Sequence, residues 1–310
     1  MRVLVTGATG FIGKKLCATL IARGDEVVVL SRNANRAKQT LPMAVSAFAW
    51  NPLTEPAPPE AFAGVDAVVN LLGESVGQKW NEKVKKRIRD SRVVGTRNLV
   101  ETMRSVRART GATNDRPTIL VSGSAIGFYG NRDDEELTEI SSSGDGFLVS
   151  VSKEWEAEAM RAQEAGVRTV LLRTGVVLER DGGALQQMLL PFKLGFGGPT
   201  GNGRQWFAWI HRDDVVGLVL HAIDNANVNG PLNATAPNPV TNKEFAKTLG
   251  KVLRRPAFMP TPPFAMRLMF GEFVDAELLA SKRVLPRRAL ETGYEFQFPE
   301  LGPALRAILH

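Results

Sequence analysis

The N-terminal segment combines two apolar runs with one amphipathic stretch. The runs RVLVTG and DEVVVLSRN are short and rich in β-branched residues, which predicts two strands. Between them, Ile12, Leu16 and Leu20 recur every four residues, which predicts a helix, and Gly24 follows where helices commonly end. The order strand, glycine turn, helix, strand predicts a right-handed βαβ unit with parallel strands.

The alternation of apolar runs with helical segments continues along the chain. Strands are predicted at 67–71, 118–122 and 168–173, and helices at about 81–109 and 152–165. This order predicts an α/β fold, a Rossmann-type doubly wound parallel sheet formed by residues 1–175 with a return segment at about 208–236. Asp213 or Asp214 is expected to cap the helix of the return segment.

The pattern changes after residue 175, where glycine and proline become more frequent in GGPTGNGRQW, PNPV and PAFMPTPPF. This change predicts a smaller C-terminal α+β domain on the substrate side of the sheet. The domain is expected to be discontinuous, with one part at about 176–207 and the other at about 237–310.

Composition narrows the class of protein. Hydrophobic residues make up 44% of the 310 residues and charged residues 23%, as in ordinary globular proteins. The single cysteine, Cys17, excludes an intramolecular disulfide, is expected in the core, and gives no reason to predict a metal site. No apolar run approaches the ~18 residues that span a bilayer, and no signal peptide is evident, so a cytoplasmic protein without membrane contact is expected.

The basic residues concentrate in KWNEKVKKRIRDSR, residues 79–92, and the formal net charge is +7. Trp80, Val84 and Ile88 lie four apart in this segment, which indicates a helix with one apolar stripe and a solvated cationic face. Aromatic residues do not interleave with the cations as they do on nucleic-acid-binding surfaces. No nucleic-acid partner is therefore predicted.

The glycines of GATGFIG stand between the first strand and the first helix, the setting of a dinucleotide-binding turn. Gly7 is expected to allow the tight turn, Gly10 to admit a pyrophosphate, and Gly13 to let the helix pack on the sheet. The helix N-terminus would face the phosphates. The spacing therefore predicts a nicotinamide dinucleotide cofactor.

The end of the second strand indicates which dinucleotide binds. NAD sites usually carry an acidic residue here for the ribose 2′-hydroxyl, whereas this chain has Ser31 and Arg32. An arginine favours a 2′-phosphate through charge-assisted hydrogen bonds. NADP(H) is therefore predicted in preference to NAD(H). At the end of a later strand, Leu71 and Leu72 are expected to line the cofactor, to pack in the core, or to do both.

Five segments together resemble the extended short-chain dehydrogenase/reductase superfamily: TGATGFIG, DAVVNLLG, LVSGSA, LLRTGVVL and WIHRDDVVG. NLLGESVGQKW and the C-terminal residues are similar to its epimerase-like subfamily, whose members are related to sugar-nucleotide epimerases and are in some cases labelled cell-division inhibitors. The resemblance implies a cofactor lying across the glycine turn, including Phe11 and Ile12. It also implies that Arg92 flanks the cofactor and that Phe147 lies near the nicotinamide.

The superfamily usually uses a serine, a tyrosine, and a lysine four residues after the tyrosine. The resemblance assigns Ser124 to the serine and Lys153 to the lysine, whereas Val149 occupies the tyrosine position. An alkyl side chain cannot transfer a proton. Tyr129 is a candidate to replace the tyrosine, although a packing role is the alternative for it. Glu74, Asp145 and His211 are further candidates, and the residues do not decide among them.

Two functions follow from these observations. The first is an NADP(H)-dependent epimerase or oxidoreductase that acts on an unknown small polar substrate with an incomplete catalytic site. The second is a non-catalytic NADP(H)-binding sensor or regulatory protein, which the valine at position 149 favours. Either protein is expected to be a monomer or a homodimer.

Overall fold

A computed structural model describes residues 1–41, 45–110 and 116–310. Strands β1 to β13 are, in chain order, Arg2–Thr6, Glu26–Ser31, Val45–Ala49, Ala67–Asn70, Ile119–Ala125, Glu136–Leu137, Arg168–Thr174, Val176–Leu178, Trp206–Phe207, Trp209–His211, Gly230–Ala234, Val240–Thr241 and Arg283–Val284. Helices α1 to α10 are Phe11–Ala22, Ala34–Thr40, Glu82–Thr110, Phe147–Met160, Gly183–Lys193, Arg212–Asp224, Asn242–Leu253, Pro263–Phe270, Arg287–Glu291 and Leu301–Leu309.

A seven-stranded sheet forms the centre of the fold, in the order β3-β2-β1-β4-β5-β7-β11. Every pairing in it is parallel. The prediction of a Rossmann-type doubly wound sheet is therefore confirmed. Strand β11 comes from the return segment and pairs with β7, with Leu232 opposite Leu172. The proposed division of the chain into two domains stays a prediction.

Alternate residues of the central strands enter two different cores, one on each face of the sheet. Val3 and Val5 of β1 belong to a core that includes Leu16 and Leu20 of α1. Leu4, between them, belongs to the core on the other face, which includes residues of α3. Because both faces are covered by helices, the strands are apolar throughout, as expected for a parallel sheet.

A third core lies in the C-terminal part of the chain. It joins residues of α5, α7 and α10, and it includes Trp209, which is fully buried. Strand β13 pairs with β6, which follows β5, and so connects this part to the chain beyond the central sheet, whereas β12 pairs with β9 within the C-terminal part. The C-terminal elements therefore lie beside the carboxyl edge of the sheet, where the strand ends reach the surface.

The structure corrects several predicted boundaries. The helix that contains Lys153 was predicted to start at residue 152, but α4 begins at Phe147 and ends at Met160. Gly146, with φ of 114°, lets the chain turn into this earlier start. Helix α3 is continuous over 29 residues, in agreement with the helix predicted at about 81–109. Strand β3 was not predicted, because it is short and only partly buried.

The cap of α6 also differs from the prediction. Neither Asp213 nor Asp214 caps this helix, because His211 Nδ1 accepts a hydrogen bond from the backbone N–H of Asp213 at 3.0 Å. Asp214 is fully buried and instead accepts backbone hydrogen bonds from Gln297 at 2.8 Å and Phe298 at 3.0 Å. Its carboxylate therefore holds the C-terminal segment against α6.

Candidate functional site

The glycine turn between β1 and α1 is packed too tightly for side chains at two of its three glycines. A Cβ on Gly7, whose φ is +67°, would lie 2.4 Å from the carbonyl oxygen of Leu71. A Cβ on Gly13 would lie 2.3 Å from the carbonyl oxygen of Gly7. A Cβ on Gly10 would meet a single described atom within 4 Å, Gly7 O at 3.0 Å. Gly7 and Gly13 therefore serve the packing of the turn, while Gly10 faces outward.

The N-terminus of α1 can bind an anion. Gly10 occupies the N-cap and has no side chain to accept a hydrogen bond, and the first turn contains no acidic residue. The first N–H groups of a helix have no partner within the helix, and they carry a partial positive charge. A pyrophosphate accepts hydrogen bonds from these N–H groups, and its negative charge is attracted by their partial positive charge. The residues present therefore fit a dinucleotide.

The side chains of Phe11 and Ile12 pack against protein. A Cβ on Gly182 would lie 2.5 Å from the Phe11 ring, and the Arg212 guanidinium lies 5.3 Å from the centre of that ring. Ile12 is half-buried against the core beneath the sheet. Both side chains are therefore occupied by protein contacts, and only the backbone of Phe11 and Ile12, in the first turn of the helix, faces a bound anion.

At the end of β2, Ser31 Oγ lies 3.3 Å from both the backbone N and the backbone O of Asn33. Arg32 is exposed, and no acidic residue of the described chain pairs with it. Asn33 caps α2 by accepting a hydrogen bond from the N–H of Arg36, which is also exposed. Arg36 was missed in the sequence, although it stands four residues after Arg32 on the first turn of a helix. Two exposed arginines without an ion pair in the described chain thus follow closely after this strand end.

A buried polar network fixes the strand ends beside the glycine turn. Thr6 at the end of β1 donates to Asn70 Oδ1 at the end of β4, over 2.8 Å. Asn70 Nδ2 donates to Thr96 Oγ1 of α3 at 2.8 Å and to Ser122 Oγ of β5 at 3.3 Å. Trp155 of α4 donates to the same Thr96 hydroxyl at 2.9 Å. The network therefore joins three strands to the two helices on that side.

Leu71 and Leu72 follow β4 and are half-buried. The N–H of Leu71 lies 3.3 Å from Thr6 O, and a Cβ on Gly95 would lie 3.0 Å from the Leu72 side chain. The structure thus places both residues at the carboxyl edge of the sheet, with their inner surfaces in the two cores.

Arg92 lies beside the loop that follows β4. Its Nη1 donates to the carbonyl oxygens of Glu74 at 2.9 Å and Ile88 at 3.1 Å, and the guanidinium lies 5.3 Å from the Trp155 ring centre. Burial lowers the pKa of Arg92 to about 10. Arg92 is not in a surface ion pair, and no described acceptor bonds its Nε or Nη2. These two donors are available to a ligand.

Phe147 begins α4 and belongs to a small aromatic group. Its ring makes an edge contact with Trp80 at 5.3 Å, and the Lys85 ammonium lies 5.7 Å from the ring centre. The predicted stripe of Trp80, Val84 and Ile88 is buried in this same group. The structure therefore gives Phe147 protein contacts, and its proximity to the nicotinamide stays a prediction.

Ser124, at the carboxyl end of β5, belongs to a buried charged group. Its hydroxyl donates to Glu156 Oε1 at 2.6 Å. Arg173 of β7 donates to both oxygens of Glu156 at 2.8 Å. Because the serine hydrogen is committed to a carboxylate, Ser124 has only acceptor capacity left for a substrate. Sequence reasoning missed both charged partners, which stand 32 and 49 positions after the serine.

Tyr129 lies in the same group and has no exposed surface. Its hydroxyl contacts Asn233 Oδ1 at 2.7 Å, the Thr138 carbonyl at 3.0 Å and Arg173 Nη1 at 3.1 Å. Burial raises the pKa of Tyr129. A hydroxyl enclosed by three protein partners cannot touch a substrate, so this geometry opposes the proton-transfer role considered for Tyr129. The enclosed hydroxyl is consistent with the packing role that was the alternative for Tyr129.

Val149 and Lys153 differ sharply in exposure, although they stand one helical turn apart on α4. Val149 is buried, with 4% of its surface exposed. Lys153 is exposed, and no described residue forms a hydrogen bond or ion pair with it. The lysine ammonium is therefore free to bind a ligand, whereas position 149 has neither a polar group nor open space.

The other proton-transfer candidates have different surroundings. Glu74 contacts Gln78 at 3.3 Å, and Asp145 is exposed on the loop before α4. His211 is a helix cap whose ring stacks on Phe298 at 3.9 Å, and burial lowers its pKa. These contacts therefore support a structural role for His211.

One carboxylate that sequence reasoning missed approaches the loop after β5. A Cβ on Gly127 would lie 3.5 Å from Glu277 Oε1 and 3.9 Å from Ser152 Oγ. The other Glu277 oxygen accepts a hydrogen bond from Lys282 Nζ at 2.9 Å, and 3% of Lys282 is exposed. Gly127 follows Ser124 by three residues, so Glu277 lies on the C-terminal side of the same strand end.

The chain is similar to proteins of one family along its whole length. The NAD dependent epimerase/dehydratase family model matches residues 3–234, and a domain of unknown function, DUF1731, matches residues 261–308. The chloroplastic epimerase family protein SDR39U1 homolog of Arabidopsis thaliana is 41% identical over 310 residues, covering 100% of this chain and 87% of the relative. Epimerase family protein SDR39U1 of Homo sapiens is also 41% identical, over 314 residues and 100% of both chains.

The crystal structure of human SDR39U1 (isoform 2) with NADPH has a TM-score of 0.85 to this chain, at 39% identity over 99% of each chain. That structure contains the cofactor that the sequence predicted here. Among the described residues, none of the helices combines the length and apolar character that a membrane crossing requires.

Proposed function

The chain belongs to the NAD dependent epimerase/dehydratase family, and from this premise we propose that it binds NADP(H) and acts on a small polar substrate by hydride transfer. The substrate is reduced, or is epimerised through an oxidised intermediate. The anion-binding N-terminus of α1, with two exposed arginines that follow closely after the end of β2, is the observation that carries the proposal.

The two ends of this site account for the choice of nucleotide. The first N–H groups of α1 would bind the pyrophosphate, with Gly10 leaving room for it. Ser31, Arg32 and Arg36 would surround a ribose 2′-phosphate, where an acidic residue would repel it. The human relative with 39% identity was crystallised with NADPH, which supports the same choice.

Two further side chains at the same edge of the sheet have free hydrogen-bond donors that would bind the cofactor. Bound NADP(H) supplies or accepts the hydride. The ammonium group of Lys153 would bind the nicotinamide ribose, because it is exposed and unpaired on α4. Nε and Nη2 of Arg92 would bind the cofactor where the loop after β4 approaches it. Both side chains then orient the cofactor and leave proton transfer to another group.

Glu277 is the group that we assign to proton transfer. Its carboxylate lies beside Gly127, close to the end of β5, and Lys282 fixes its orientation through a 2.9 Å hydrogen bond. The Glu277 carboxylate would accept the proton when a hydroxyl group is oxidised, and the acid formed in that step would return the proton when the carbonyl is reduced. This assignment replaces the missing tyrosine without using the enclosed hydroxyl of Tyr129.

A second candidate function is a non-catalytic NADP(H)-binding sensor. It is favoured by Val149, which is buried, and by Ser124, whose hydrogen is held by Glu156 at 2.6 Å. In that case the cofactor-binding groups would act alone, and Glu277 would be structural.

Cofactor titration by nicotinamide fluorescence tests the binding part of the proposal. We expect NADPH to bind more tightly than NADH, and Arg32→Asp to remove or reverse this preference. Losing one charge-assisted contact corresponds to roughly a tenfold to hundredfold change in affinity. Arg109→Asp, at an exposed arginine of α3, makes the same charge change at another place and should leave the preference intact. Equal affinities of the unmutated protein for both cofactors would contradict the proposal.

Turnover separates the enzyme from the sensor. Purified protein with NADPH is screened against small carbonyl compounds and sugar derivatives while absorbance of the reduced nicotinamide is followed. For any substrate found, Glu277→Gln should lower kcat by roughly a hundredfold or more while NADPH affinity stays unchanged, because the amide keeps the shape but cannot transfer the proton. Turnover that is unaffected by this change would remove Glu277 from the mechanism, and NADPH binding with no turnover on any compound would favour the sensor.

A further inference from the structure

The C-terminal part of the chain carries a concentration of exposed apolar side chains. In the described residues, twelve large apolar side chains are exposed, and eight of them lie in two segments, 190–196 and 258–269. The eight are Leu190, Leu194, Phe196, Phe258, Met259, Phe264, Leu268 and Met269. An isolated exposed apolar residue is ordinary, but such a concentration indicates a surface that contacts something other than water.

Hydrogen bonds join the two segments into one surface. Arg255 Nε donates to the Lys193 carbonyl at 3.0 Å, and the Met259 N–H donates to the Gly197 carbonyl at 3.3 Å. The Thr261 N–H donates to the Pro199 carbonyl at 2.9 Å. The apolar side chains of α5 and its following loop therefore lie beside those of the segment that leads into α8.

Helix α8 shows that this surface is not a displaced part of the core. None of its residues is buried, and the exposed fractions are 75% for Phe264, 78% for Leu268 and 65% for Met269. Phe264 and Leu268 stand one helical turn apart, on one side of the helix. Side chains with such high exposure project from the surface. Side chains that line a groove would shield one another and would be less exposed.

The two apolar segments and their neighbours in the sequence are rich in basic residues, and the exposed carboxylates beside α8 are those of Glu272 and Asp275. Residues 182–204 and 245–271 contain no aspartate or glutamate, and their seven basic residues are Lys193, Arg204, Lys247, Lys251, Arg254, Arg255 and Arg267. Arg267 pairs with Asp275, which lies outside these segments. The other six form no ion pair with any residue of the described chain. We call the eight apolar and seven basic side chains the apolar–cationic surface.

We propose that the apolar–cationic surface binds the face of an anionic lipid bilayer. Lysine and arginine side chains attract anionic headgroups, and projecting phenylalanine, leucine and methionine side chains enter the boundary between headgroups and acyl chains. A second copy of this chain, docked symmetrically, would set cations against cations and is disfavoured. A rigid acidic protein would need to provide a cavity for each projecting side chain, whereas lipid adapts to them.

This binding differs from a membrane crossing, departs from the expectation from the sequence of no membrane contact, and adds to the cofactor site. The surface lies on α5, α8 and their loops. Its exposed side chains on α5 start at Leu190, beyond Gly182 and Gly183, which pack beside the Phe11 ring at the start of α1. The protein would lie on the membrane with α5, α8 and their loops facing the lipid. The absence of a spanning helix in the described residues is compatible with this peripheral mode.

Sedimentation with vesicles tests the proposal on the full chain. The unmutated protein should sediment with vesicles of phosphatidylglycerol mixed with phosphatidylcholine, bind pure phosphatidylcholine far more weakly, and be released as salt rises. The variant Phe264→Ser/Leu268→Ser should lower vesicle affinity about tenfold or more, since two apolar anchors are lost. Arg254→Ser/Arg255→Ser should lower binding to the anionic vesicles alone.

Matched controls use equally exposed residues elsewhere. Ile140→Ser removes an apolar side chain that is 83% exposed, and Lys83→Ser removes an exposed cation of α3; both variants should bind like the unmutated protein. Circular dichroism checks the fold of each variant, and size-exclusion chromatography with light scattering follows its mass. Failure of the unmutated protein to bind anionic vesicles overturns the proposal. Equal losses in the controls overturn it too, as does a change of mass in the surface variants without vesicle binding, which would identify a second copy as the occupant.

Discussion

At the residue scale, Arg173 and Glu156 form a buried ion pair between β7 and α4. Their side chains are 4% and 9% exposed, and two parallel hydrogen bonds of 2.8 Å join them. Ser124 and Tyr129 are further partners of the pair. Ser124, at the serine position of the superfamily, and Tyr129, the candidate to replace the tyrosine, thus serve as partners of buried charges, which fix their orientation and limit their chemistry.

Removing one charge of this pair should be strongly destabilising. Glu156→Leu leaves the Arg173 guanidinium buried without its carboxylate, for which we expect a loss of about 3–5 kcal/mol in the free energy of unfolding. Urea denaturation followed by circular dichroism measures this loss. Glu154→Leu, on the same helix, breaks a surface pair with Arg89 and should cost no more than about 1 kcal/mol. Similar losses in the two variants would show that the buried pair contributes no more to the free energy of unfolding than the surface pair does.

At the scale of elements, the glycine turn and its helix were predictable because local chemistry determines them. The spacing of Gly7, Gly10 and Gly13 indicated both the turn and the closeness of α1 to the sheet. The start of α4 was not predictable in this way. Val149 and Val151 have β-branched side chains, which disfavour helix locally, and burial of both in the tertiary structure outweighs that preference.

The cap of α6 and the partners of Ser124 depend on long-range contacts that the sequence does not display. Two aspartates follow His211, and aspartate is a preferred cap, yet Asp214 is drawn into the C-terminal segment and the histidine takes its place. Glu156 and Arg173 reach Ser124 only when α4 and β7 pack beside β5. The glycine turn and its helix were therefore predictable, and the polar group around Ser124 was not.

The three glycines of the turn should separate stability from binding. Gly13→Val places a side chain within 2.3 Å of Gly7 O, so we expect severe loss of stability or no folded protein. Gly10→Val meets only Gly7 O at 3.0 Å, so the protein should fold, while the branched side chain occupies the place of the pyrophosphate. Thermal unfolding and NADPH titration of both variants measure the two effects. Normal NADPH affinity in Gly10→Val would exclude the turn as the phosphate site.

At the scale of the whole molecule, His211 connects α6, which packs against the central sheet, to the C-terminal part. It ends β10, caps α6 and stacks on Phe298, which precedes α10. Burial lowers the pKa of His211 in the folded protein below the ordinary value of 6.5. The unfolded chain therefore takes up a proton at a higher pH than the folded protein does.

The sign of the pH dependence follows from this shift. The stabilising contribution of neutral His211 is complete above about pH 6.5 and is lost as the pH falls toward the folded pKa, by up to about 1.4 kcal/mol per pH unit. His211→Asn keeps a cap acceptor without a titrating group, so its stability should fall less on acidification. Urea midpoints between neutral and mildly acidic pH provide the comparison. His221, whose pKa burial also lowers, keeps its own contribution in both proteins. Parallel pH profiles would show that His211 does not titrate in this range.

The strand order β3-β2-β1-β4-β5-β7-β11 has a consequence for synthesis on the ribosome. Strand β1 emerges first, β2 and β3 extend the sheet on one side of it, and each later strand adds to the opposite edge. No strand has to enter between two that have already paired, so the sheet can grow outward while translation continues. Glu156, however, leaves the ribosome 17 residues before Arg173 and meets its cation only after β7 has been added. Nascent chains that end before β7 should therefore hold α4 loosely, and arrival of that arginine would fix the helix against the sheet.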